Sequence, residues 1–146
     1  MKNLTALILA IILTSCGTES DHPAIGTWKL LKGETITGSD TTYSDYTSNE
    51  ECIKIITPTH FSFMRHDLKN GQDSTKIFYV SGGGKCEIKD SLYTEHLDYC
   101  NYRNWEGGVF ELKIKVSGDT LIQTGIEKIE KLNINRINTE TYVRVK

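Results

Sequence analysis

Three polar side chains in this sequence combine chemical capability with an inward position: Arg65, Glu95 and Gln123. The placement follows from register, because residues opposite one another in a two-residue hairpin share a face of the sheet. Taking Asp90-Ser91 as a turn sets Ile88 opposite Tyr93, Cys86 opposite Glu95, Gly84 opposite Leu97 and Gly82 opposite Tyr99. The other face carries Lys85, Glu87, Lys89, Thr94, His96 and Asp98, which is a solvent face, so Glu95 points inward. Taking Gly118-Asp119 as a second turn sets Val116 opposite Leu121, Ile114 opposite Gln123 and Leu112 opposite Gly125, which brings Gln123 onto the apolar face. In Phe61-Ser62-Phe63-Met64-Arg65 the phenylalanines define the inner face and carry Arg65 with them, leaving His60, Ser62, Met64 and His66 outside. An isolated buried charge costs several kcal/mol, so Arg65 and Glu95 must meet each other, a ligand or trapped water.

Two uses of these groups are open. One is structural: an internal salt bridge between Arg65 and Glu95, or a position at a wet barrel mouth. The other is a binding pocket walled by Phe61, Phe63, Tyr93 and Tyr99 beside Trp28. There Arg65 would hold a carboxylate or other anionic head, and Gln123 and a tyrosine hydroxyl would add hydrogen bonds. Trp28 itself reads as a core plug. The run Gly82-Gly83-Gly84-Lys85 is not a phosphate loop, since the earlier glycine falls at Tyr79, Cys86 replaces Ser or Thr, and a strand follows. The pairs His60/His66 and His96/Cys100 face outward in this register, and no Gly-x-Ser-x-Gly is present, so neither a metal, a cofactor nor an activated nucleophile is predicted.

The elements that position these residues are strands. Apolar residues recur mainly with period two, most clearly in Phe110, Leu112, Ile114 and Val116 against Glu111, Lys113 and Lys115. Strands are predicted at 24–33, 50–57, 60–66, 75–82, 84–89, 92–101, 109–117, 119–125 and 139–145, two of them allowed to be one strand bent at Gly82-Gly83-Gly84. Residues 127–133 place Ile126, Ile129 and Leu132 near helical spacing, which predicts one short helix before the last strand. The expected architecture is an all-β, eight-stranded antiparallel up-and-down barrel over 25–146.

A chain of 146 residues suits one such domain, and a net charge near −2 lacks the basic balance of a nucleic-acid binder. Lys2 followed by the apolar run Leu4 to Leu13 reads as a signal peptide, too short to span a bilayer. Beyond Cys16 there are three cysteines, Cys52, Cys86 and Cys100, an odd number without metal-ligand spacing. In the register above Cys86 faces inward and Cys52 and Cys100 outward, so no disulfide pairing is favoured.

Leu13-Thr14-Ser15-Cys16 resembles the lipobox of bacterial lipoproteins. That resemblance implies cleavage after residue 15, a lipidated Cys16, a tether over 16–24 and attachment to an envelope membrane. Gly17 is not the aspartate that retains such proteins at the inner membrane, so the outer membrane is implied, with its periplasmic or surface face open. Gly26-Thr27-Trp28 is similar to the Gly-x-Trp signature of lipocalins, with Arg144 as the arginine that caps the tryptophan. Thr59-His60-Phe61-Ser62-Phe63, Tyr93-Thr94-Glu95-His96, Ser117-Gly118-Asp119-Thr120-Leu121 and Tyr142-Val143-Arg144-Val145-Lys146 resemble a bacterial lipocalin-like domain family of unknown function. The resemblance implies a small calycin-type barrel and brings no established reaction or ligand with it; that the barrel holds a small hydrophobic or amphipathic ligand is the expectation from the aromatic and polar lining above. The alternatives are a closed barrel that docks an unknown protein or envelope partner and, because phenolic acid decarboxylases are similar barrels with buried tyrosine, arginine and glutamate, an enzyme using Tyr93, Glu95 and Arg65.

Overall fold

Alternating side chains and tight turns close this chain on itself. The computed structural model describes residues 22–69 and 78–146. The signal segment 1–15, Cys16 and most of the tether lie outside the described residues, as does the start of the strand predicted at 75–82. The elements are β1 (Gly26–Thr37), β2 (Asp40–Asp45), β3 (Glu50–Ile56), β4 (His60–Asp67), β5 (Tyr79–Lys89), β6 (Leu92–Leu97), β7 (Tyr99–Cys100), β8 (Gly108–Ser117), β9 (Thr120–Ile129) and β10 (Ile134–Arg144). Every pairing is antiparallel, and the order β1-β3-β4-β5-β6-β8-β9-β10 returns to β1, which makes a closed eight-stranded barrel.

Both hairpins follow the expected register. Cys86 pairs with Glu95 and Ile88 with Tyr93 across a turn in which Asp90 has φ 54°. Ile114 pairs with Gln123 and Leu112 with Gly125 across a turn in which Gly118 has φ 56°. The segments predicted at 75–82 and 84–89 are parts of one strand, β5, which runs unbroken through the three glycines.

Three features depart from expectation. β1 continues to Thr37 and turns into β2, an added hairpin strand whose side chains are almost all exposed, so it carries no apolar alternation to read. The predicted short helix is a strand end followed by a three-residue 3-10 turn, Glu130–Leu132, closed by Asn133 at φ 57°. Ile126 and Ile129 lie three apart on a strand, hence on opposite faces: Ile126 is exposed beside Ile137, and Ile129 is buried. Finally, β6 stops at Leu97, and the chain re-pairs with Gly82 through Cys100 instead of Tyr99. Tyr99 is therefore 73% exposed on the outer surface, not on the inner wall, and Cys100 points in.

One end of the barrel is plugged. Trp28 is fully buried and donates its indole N–H to the Ala24 carbonyl at 2.7 Å. The Arg144 guanidinium sits 4.1 Å from the Trp28 ring and donates to the Ile25 and Pro23 carbonyls at 3.0 and 2.6 Å. Gly26, at φ 143°, leaves the space the guanidinium uses, since a Cβ there would meet Arg144 Nη1 at 2.5 Å.

The break after β6 packs directly on Gly84, where a Cβ would lie 2.0 Å from the His96 carbonyl oxygen and 2.7 Å from the Asp98 nitrogen. Both obstacles are backbone and cannot swing aside. Gly84→Ala is therefore expected to lower the free energy of unfolding by about 3 kcal/mol, the upper end of overpacking costs. Denaturant titration measures this, and an unchanged midpoint would contradict the close approach.

Candidate functional site

Among the described residues the lumen above the Trp28 plug is open. A chamber of about 170 Å³ continues into a wider mouth of about 600 Å³, and Phe63, Arg65, Trp105 and Glu140 line both. The mouth lies at the far end of β1, where a bulge at Leu31 interrupts the pairing of β1 with β10 and Thr35 and Thr37 line the opening. Trp105, on the 3-10 turn Arg103–Trp105, packs on Phe110 with ring centroids 6.3 Å apart.

The chamber has two unlike walls. Phe63, Val80, Leu97, Phe110 and Leu112 form an apolar wall on β4, β5, β6 and β8, facing Gln123, Glu140 and Tyr142 on β9 and β10. The floor is an ion pair. Lys54 on β3 meets Glu95 on β6, and their side chains are only 3% and 9% exposed. Lys54 Nζ also donates to Gln123 Oε1 at 3.0 Å and lies 5.4 to 5.8 Å from the ring centroids of Tyr93, Phe61 and Tyr142, within the range of cation–π attraction. Gln123 Nε2 donates to Glu140 Oε2 at 2.5 Å, and the Tyr142 hydroxyl donates to the same oxygen at 2.7 Å.

Burial and neighbouring carboxylates raise the pKa of two hydroxyls and one thiol of this interior. Burial, reinforced by the Glu95 carboxylate, holds the Tyr93 hydroxyl far above its ordinary range. Burial and then Glu140 do the same for Tyr142, and together they push the Cys52 thiol up to about 12. Neither tyrosine nor Cys52 is thereby a nucleophile near neutral pH. The Tyr93 hydroxyl is buried against Glu95 and Cys86.

Of the residues singled out from sequence, Phe63, Arg65, Glu95 and Gln123 line the chamber. Phe61 and Tyr93 are buried in the core around Lys54. Tyr99 is outside. Arg65 does not pair with Glu95: it pairs with Glu50 and stacks over Tyr46 and Phe78 at 4.6 and 5.1 Å. The reason is the inward cation the sequence reading missed, Lys54, which already holds Glu95. Cys52 shares its face, so it is buried and not outward, and Cys52, Cys86 and Cys100 are all free thiols. The missed signal was the connection between β3 and β4, where Ile56 pairs with Phe61. Once Phe61 points in, alternation turns Lys54 and Cys52 in as well. Glu140 and Tyr142 follow by the same alternation from Arg144.

A scan against protein-family models finds no match to this sequence, and a search of curated proteins finds none either.

Two variants test the electrostatics. Removing one member of a buried ion pair strands the other, so Lys54→Met should cost about 3–5 kcal/mol, while the double variant Lys54→Met/Glu95→Leu should regain most of that loss in chemical denaturation. Equal destabilisation by both would mean that the pair is not coupled. Glu127, ion-paired with Arg136, has its carboxyl raised above the ordinary 4.5 because burial outweighs Arg136. The folded state therefore binds this proton more tightly than the unfolded one. Its contribution is fully favourable below pH 4.5 and is lost as pH rises through the raised value. Glu127→Gln should match the parent at pH 4 and be the more stable protein at pH 7, and a less stable variant at pH 7 would show that the Arg136 pair outweighs burial.

Proposed function

We propose that this chain is a lipid-anchored, lipocalin-like protein of the bacterial envelope that holds one small amphipathic molecule in its barrel. The observation that carries the reading is the chamber. Its volume of about 170 Å³, an apolar wall opposite a hydrogen-bonding wall, and one open end are the attributes of a small-molecule site. A cavity of about 150 Å³ accepts benzene, so the enclosed part of the ligand is a single ring or a short branched chain, with the remainder in the mouth. The plugged end, with Arg144 on Trp28, agrees with the lipocalin resemblance of Gly26-Thr27-Trp28. Cys16 supplies the anchor in this reading, because several acyl chains at about 0.8 kcal/mol per buried methylene hold a domain durably on a membrane, here the outer membrane.

A second reading rests on the outer surface. Beside Gly82-Gly83-Gly84 runs a groove of about 640 Å³ flanked by exposed Met64, Tyr79 and Tyr99, the composition of a protein-docking surface. A barrel enzyme using Tyr93, Glu95 and Arg65 is disfavoured, because Arg65 is engaged by Glu50 and Glu95 by Lys54.

Native mass spectrometry of the mature, lipid-anchored protein, extracted gently from its own host, separates the two readings. The ligand reading expects a reproducible extra mass of about 100–300 Da, the range a ring-sized group with a polar head implies. That mass should disappear in Val80→Phe, which fills the junction of chamber and mouth. The mass of the lipidated polypeptide alone would overturn the ligand reading in favour of the outer groove.

A further inference from the structure

We infer that the ligand's head group is a protonated amine, held against the carboxylate of Glu140. The inference rests on the small-molecule reading above and replaces the anionic head that Arg65 suggested from sequence. It follows from pairing the charges that line the lumen. Each interior cation carries its own carboxylate: Lys54 has Glu95, Arg65 has Glu50 and Arg136 has Glu127. Glu140 is the carboxylate left over. It accepts hydrogen bonds from Gln123 and Tyr142, both neutral, and has no cationic partner among the described residues.

Its position suits a ligand contact. Glu140 lines both the chamber and the mouth, so a group reaching it lies at their junction with its apolar remainder against Phe63, Val80 and Leu97. Its field is felt across the site, raising the Tyr142, Cys52, Glu127 and Tyr46 groups alike. An anionic head would enter a lumen with one excess negative charge, and Arg65 could serve it only by giving up Glu50. An ammonium supplies the missing charge and donates to a carboxylate held in place by hydrogen bonds to its Oε2, and a bond between two ionised groups is roughly twice as strong as a neutral one.

The test is an isothermal titration of the full-length protein at pH 7 with three probes of one shape: 2-phenylethylamine, 2-phenylethanol and phenylacetate. The amine is expected to bind about tenfold more tightly than the alcohol, and the carboxylate to bind weakest. Glu140→Gln should remove the amine's advantage and leave the alcohol's affinity within about twofold, as uniform loss of the charge term requires. Alcohol or carboxylate binding as tightly as the amine would overturn the head-group inference and leave the small-molecule reading standing. An amine preference that survives in Glu140→Gln would overturn the assignment to Glu140. Failure of all three probes to bind would overturn both the inference and the ligand reading. The comparison among probes on the parent protein needs no variant, so it decides the sign even if Glu140→Gln folds poorly.

Discussion

The buried ion pair between Lys54 and Glu95 organises the interior. β3 and β6 are not neighbours in the sheet, so the pair spans the lumen rather than a strand boundary. Two charges this far from water are tolerable only with close mutual contact and further partners, here Gln123 and the faces of three aromatic rings. The side chains that satisfy the pair fill the middle of the barrel and form a floor. Below it Trp28, Ile56 and Leu121 pack to near-complete burial. Above it the described residues supply no equivalent filler, and the chamber is what remains.

The two ends differ because of local backbone chemistry. At the plugged end Arg144 reaches across Gly26 to two carbonyls that no strand partner serves, so a cation takes the place of the missing ladder. At the open end β1 leaves β3 and pairs with β2, and the bulge at Leu31 brings threonines toward the lumen. Small hydroxyl-bearing residues there line an opening where bulky apolar ones would have closed it. The asymmetry gives a route to the chamber among the described residues, through the mouth beside Trp105.

Much of this architecture is legible in the sequence wherever one face of a strand is unmistakably polar. The Asp90-Ser91 and Gly118-Asp119 hairpins are of that kind, and they place Glu95 and Gln123 correctly. In Cys52-Ile53-Lys54-Ile55-Ile56 both faces carry apolar groups, so alternation alone does not say which is inner, and a lysine argues for the wrong one. Tyr99 was misplaced for a different reason. The register that holds from Ile88–Tyr93 to Cys86–Glu95 ends where the chain presses its own backbone onto Gly84, and the three small residues permitting that contact look the same in sequence as a bend in β5. The short helix failed through a coincidence of spacing, since isoleucines three apart satisfy a helix and also mark opposite faces of a strand.

The chamber's size and its floor together restrict what it can hold. A long acyl chain would need the lumen to continue past Lys54 and Glu95, and making that passage would mean parting two charges whose alternative partner is hydrocarbon. The floor is thus fixed by electrostatics more firmly than an apolar floor would be by packing, because apolar side chains can change rotamer at modest cost and a buried ion pair cannot separate cheaply. Depth is set by the pair on β3 and β6, width by Phe63, Leu97, Phe110 and Leu112 on β4, β6 and β8, and polarity by Glu140 on β10. A substitution that enlarges the apolar wall should therefore broaden the accepted ring without altering the preferred head group, since the groups that fix charge stand on the opposite side of the chamber.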